Sequence, residues 1–174
     1  MSNVKIEGNA SGTGTLTIAA PNTNTDRTLT LPDGAGEILL SDGATFSAYQ
    51  SSAQTITTGT WTKVNFQTES WDTNGVFASS RFTPTTEGYY QLTGSLRCAS
   101  GLTNGHISVW KNGSGEQHRL LNITSDHLAG SCLEYANGTG DYFEIYVYHA
   151  SGSDRTLSAN PNQTYFQGVL VRKA

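Results

Sequence analysis

From Phe46 onward the apolar positions of this chain recur at a spacing of two, in short runs separated by glycine- and asparagine-rich breaks. That is the period of a β-strand, whose successive side chains point to opposite faces. Thr60 to Phe66 alternates, with Trp61 on one parity and Val64 and Phe66 on the other. Ile107-Ser-Val-Trp110 runs into Lys111-Asn112-Gly113, a hairpin signal, and residues 117–123 are the expected return strand. Cys132-Leu-Glu-Tyr135 leads to a turn at Asn137-Gly138, and Asn74-Gly75 and Asn104-Gly105 mark further turns. No stretch of ten or more residues keeps a helical period. The expected class is therefore all-β, a sandwich of short strands.

Residues 142–148 carry the most information of any single strand. Phe143, Ile145 and Val147 make one apolar face, expected to line the sandwich core. The opposite face carries Tyr142, Glu144, Tyr146 and Tyr148, where a monomeric sheet normally shows small polar and charged groups. Tyrosines of this kind are enriched at protein interfaces. We expect this face to be buried between protomers, with Tyr165 contributing from the closing strand. The plainer alternative is an exposed tyrosine ladder held by its cross-strand neighbours.

Within residues 81–94, Phe82 is followed after five residues by Gly88, then by Tyr90 and Leu92 at a spacing of two. Pro84 and Gly88 punctuate a turn, and Tyr90, Leu92 and Leu96 then share one face of a strand. This arrangement resembles the signature of the complement-q/tumour-necrosis-factor superfamily. The likeness extends to Phe46-Ser-Ala48 as an opening strand and to Thr62-Lys-Val-Asn-Phe66 followed by Asn74-Gly75. Gly140-Asp-Tyr142 and Phe166-Gln-Gly-Val-Leu170 continue it, so that residues 46–174 are covered. The family prefers aromatics where this chain has Leu92 and Gly94, and a large residue near Gly75. The resemblance implies an antiparallel jelly-roll β-sandwich that assembles as a homotrimer, with residues 142–148 in the sheet facing the three-fold axis. It also places Phe82, Tyr90 and Leu92 in the core with Phe143, Ile145 and Val147. Some members hold calcium near that axis, but the spacing of Asp126, Glu134 and Asp141 predicts no site here.

Charge removes one class of function. With 10 Lys+Arg against 14 Asp+Glu and no basic run, nothing would neutralise a row of phosphates, so nucleic acid is not an expected partner. No segment has the apolar length to span a bilayer, and none reads as a signal peptide. A protein made in a cytoplasm, without membrane insertion, is the expectation. Cys98 and Cys132 are either a bridge across the sandwich or two buried thiols, and a cytoplasmic origin favours the thiols. His106, His118, His127 and His149 are dispersed, and there is no nucleophile elbow or phosphate-cradling loop. No catalytic residue, metal or cofactor is expected, and the protein is read as a non-enzyme. Recognition then falls to loops. Trp71, with Asp72 and Asn74, is the sharpest candidate, because an indole can stack on a sugar while its polar neighbours bind hydroxyls. The alternative is a Trp71 folded back onto the sandwich edge. Residues 111–118 and the long segment 150–163 are further candidates.

Residues 1–45 differ in character, with no aromatic residue before Phe46 and few sizeable apolar groups, among them Leu16, Ile18, Leu29, Leu31, Ile38 and Leu40 in brief alternating pieces. Such a segment needs a partner surface or oligomerisation to bury enough. Thr28-Leu-Thr-Leu-Pro-Asp33 and its surroundings resemble segments near the N-termini of bacteriophage tail-fibre and other virion proteins. The expected organisation is an attachment or shaft segment over 1–45 and a jelly-roll head over 46–174. The expected function is that of a phage virion protein, a homotrimeric tail-fibre or spike component. Its N-terminal segment would dock to other virion proteins, and its head would contact a host-surface glycan or protein. One alternative is a capsid decoration or head-fibre protein without receptor binding. Another is a cellular adhesive or cytokine-like module.

Overall fold

The computed structural model describes residues 43–174, together with 11–15, 17, 24, 26 and 28. The chain separates into two units, Met1–Glu37 and Ile38–Ala174. The short strands expected within 1–45 fall mostly outside the described residues. Among the described residues there is no helix. Eleven strands follow in order: β1 (Thr45–Tyr49), β2 (Gln54–Ile56), β3 (Thr62–Lys63), β4 (Thr68–Asp72), β5 (Phe77–Ala78) and β6 (Arg81–Phe82) come first. Then come β7 (Gly88–Lys111), β8 (Glu116–Ala136), β9 (Phe143–Tyr148), β10 (Arg155–Leu157) and β11 (Tyr165–Lys173).

All pairings are antiparallel, and they form a nearly closed sheet folded into two layers. The first layer runs β4-β1-β11, then the first half of β7 and the second half of β8. In the second, β9 pairs with β3, with β6 and with the second half of β7, which in turn pairs with the first half of β8. β7 and β8 are one long hairpin that crosses between the layers. Its turn sits at Asn112 and Gly113, both at positive φ, as that sequence predicts. Asn104-Gly105, in contrast, does not reverse the chain. It lies inside β7, where Asn104 has φ 49° and the register to β8 shifts on either side of Leu102. A left-handed residue with pairing on both sides makes a bulge that re-aims a strand rather than ending it. The segment 150–163 also differs from the expected loop. It contains β10, which pairs with β2 and lays Leu157 against the core.

The core lies between the layers. Phe82, Tyr90, Leu92, Phe143, Ile145 and Val147 are all at 0% exposure. Phe46 is at the centre of the aromatic packing, stacked on Phe82 at 4.5 Å and on Phe77 at 4.8 Å, with Phe166 edge-on at 4.9 Å. Two glycines make this fit possible. A Cβ at Gly168 would lie 2.5 Å from Phe46 Cε1, and one at Gly94 would lie 3.0 Å from both Ile107 Cδ1 and Ile145 Cδ1. At Gly94 the space of a side chain is filled by two isoleucines.

Candidate functional site

Strand alternation sends one set of side chains of the first layer inward and the other set out. The inward set is Phe46, Ala48, Phe166, Tyr90 and Leu92. The outward set is not the polar row that a one-sided sheet usually shows. Thr45, Val169, Gln91 and Leu133 form one cross-strand row, and Tyr89 pairs with Tyr135 in the next. Trp71 faces Ser47 from the edge strand β4, and its indole N–H donates to Thr45 Oγ1 at 3.3 Å. Trp71, Tyr89, Leu133, Tyr135, Val169 and Val171 remain between 38% and 55% exposed. An open depression of about 320 Å³ lies among Thr45, Trp71, Gln91, Thr93, Gln167 and Val169. Tyr135 donates its hydroxyl to Glu87 at 2.5 Å, and its ring sits 5.6 Å from that of Tyr89. This apolar face on a rigid sheet is the candidate site. It reaches the margin of the layer, because β7 is the only described strand with which β8 pairs.

The four tyrosines expected at an interface do not form one surface. Tyr165 pairs with Tyr49 and Ser95 in the first layer, in line with Gln167 and Val169. Tyr142, Tyr146 and Tyr148 lie with the second layer and are half-covered within the protomer. Trp110 stacks on Tyr146 at 4.0 Å, Trp61 and His106 pack on Tyr148, and the Arg81 guanidinium sits 3.7 Å over Tyr142. Between them Glu144 is buried and bound by Lys63 Nζ at 2.6 Å and by Arg81 at 3.0 Å.

The expected recognition loop is partly a strand. Trp71 and Asp72 belong to β4, and Asp72 accepts the backbone N–H of Phe77 at 2.8 Å and of Asn74 at 3.4 Å, fixing the turn that holds Asn74. Asp141 also organises a turn: Asn112 Nδ2 and Lys111 Nζ reach it at 2.8 Å, and the Asn137 N–H at 3.0 Å. Burial pushes its carboxyl up, but those three contacts outweigh burial and hold it below the usual range. Ser95 and His127 sit 2.9 Å apart, yet the Ser95 hydroxyl donates to Gln163 O at 2.8 Å. An imidazole N–H donated to the Ser95 oxygen satisfies both contacts. Cys98 and Cys132 are free thiols, pushed up by burial to about 11 and about 12. Spacing in sequence gave no sign that Cys132 and Glu134 meet His118, because the three come together only where β8 folds over the sandwich edge.

No sequence-family profile matches this chain, and no curated protein matches it. Solved structures do. The globular domain of zebrafish complement 1qA superposes with a TM-score of 0.55 at 16% identity, over 75% of this chain and 99% of that one. Murine APRIL gives 0.58 at 13% identity, over 75% of this chain and all of that one. The chain has the complement-q/TNF jelly-roll fold. The PRD1 vertex protein P5 shares it, with a TM-score of 0.54 at 12% identity over 75% of this chain and 96% of that one.

Proposed function

We propose that this jelly roll is a trimeric binding or structural module of a bacteriophage particle, and that its copies associate through the apolar face of the first layer. The observation that carries the reading is that face: six large apolar side chains, each more than a third exposed, on one sheet that ends at a strand edge. Soluble monomers usually keep large apolar side chains from gathering on one exposed sheet face, and an unpaired strand edge beside it is a further liability. The sequence resemblance to a superfamily of trimers supports three copies. The virion-like character of residues 1–45 and the shared fold of the PRD1 vertex protein support the phage setting. In this reading the N-terminal segment docks to another virion protein, and the molecule acts by binding rather than catalysis. Three heads on one particle multiply a weak contact with the host surface by effective concentration. Trp71 lies on the association face, so we assign it there rather than to an independent receptor loop.

Light scattering on the full chain and on residues 43–174 tests this. Both should have the mass of three chains; a monomeric full chain overturns the reading. A capsid decoration without receptor binding is the second reading, favoured by the similarity to a vertex protein. Labelled protein that stains host cells selects the first reading, and protein that binds only particles lacking it selects the second.

A further inference from the structure

A separate cluster forms where β8 crosses the open edge of the sandwich. His118 comes from the first half of the strand, Cys132 and Glu134 from the second. The halves are drawn together at Gly130, where a Cβ would lie 2.8 Å from both Leu120 Cβ and Leu120 O. Leu120 is two residues beyond His118, and Gly130 two before Cys132. His118 lies opposite Val109, Cys132 opposite Leu92 and Glu134 opposite Tyr90, all buried core-facing positions, so the three share the inward side of β8. The result is an imidazole nitrogen, a thiol sulfur and a carboxylate oxygen within 4.8 Å of one another. His118 Nδ1 already contacts Glu134 Oε1.

We propose that His118, Cys132 and Glu134 are the three protein ligands of a zinc-type metal site with a fourth position open. The donor set decides the class of ion. Calcium and magnesium take oxygen shells, whereas nitrogen, sulfur and oxygen together suit Zn²⁺ and its neighbours. Bond lengths of about 2.0–2.3 Å place tetrahedral ligand atoms roughly 3.3–3.8 Å apart, so a set already within 4.8 Å reaches that spacing by side-chain rotation, which also opens the His118–Glu134 contact to admit the ion. Access is also suitable. The Glu134 side chain is 9% exposed and anchors the site, while that of His118 is 55% exposed and leaves an entry from solvent. The competing view is a plain His–Glu pair with Cys132 packed beside it as a small apolar group.

The full chain, stripped with a chelator and desalted, would be titrated with Co²⁺ and followed in the near-ultraviolet and visible. One equivalent per chain should produce a thiolate-to-cobalt band with the intense visible bands of a tetrahedral site, and Zn²⁺ should bleach both. C98S should behave as the parent, because Cys98 lies elsewhere, opposite Leu157 of β10. C132S should abolish the thiolate band, and H118A should weaken Co²⁺ binding at least about tenfold. H118A is decisive even if C132S misfolds, since a half-exposed side chain can be truncated without opening the core. A parent protein without the thiolate band, or an H118A protein that binds as tightly as the parent, overturns the site.

Discussion

Gly168 shows how closely single residues are fixed here. Phe46 stacks on Phe77 and Phe82 only because position 168 lacks a side chain, the nearest ring atom being 2.5 Å from where a Cβ would stand. Gly168→Ala should therefore cost about 1–3 kcal/mol through overpacking, read as a lower urea midpoint at unchanged slope. Much at this scale is legible from period alone. Tyr90 and Leu92, or Phe143, Ile145 and Val147, fall on one parity and are all buried. Gly94 and Gly168 are not legible that way, because what forbids a side chain there, Ile107 and Ile145 in one case and Phe46 in the other, is distant in sequence. The metal-donor cluster was hidden for the same reason: 118, 132 and 134 have no ligand spacing until the two halves of β8 meet at Leu120 and Gly130.

At the scale of elements, β9 illustrates both the strength and the limit of pattern. Its inner face was plain from alternation. The role of its outer face depended on Trp61, Trp110, Lys63 and Arg81, which the topology brings to it from other strands and loops. Glu144, at 2% exposure, needs both cations. The double variant K63A/R81A leaves that carboxylate buried and unpaired and should lose about 3–5 kcal/mol, more than E144Q, which removes the charge itself. Thermal unfolding of the two variants checks the order. The candidate face of the first layer did leave a trace in sequence. Tyr89-Tyr90 and Val169-Leu170-Val171 are apolar on both parities, as a strand covered on both sides must be. Tyr165, Gln167 and Val169 owe their place on that side to the pairing of β11 with β1 and β7, which lie far from it in sequence.

For the whole molecule, acid response follows from the turn that Asp141 holds, and assembly from the outward face of the first layer. Asp141 titrates below its ordinary range in the fold, so its contribution is complete above about pH 4 and is lost as pH falls through the depressed value. D141N should be less stable than the parent at pH 7 and should lose less on further acidification, as urea midpoints at pH 7 and pH 3 would show. Assembly rests on the outward apolar face. L133E/V169E alters two half-exposed side chains in one cross-strand row, away from the core. The most direct measurement is the solution mass of this double variant beside the parent, with circular dichroism to confirm the β fold. A parent trimer and a folded variant monomer are expected. A variant that remains a trimer would contradict association through this face.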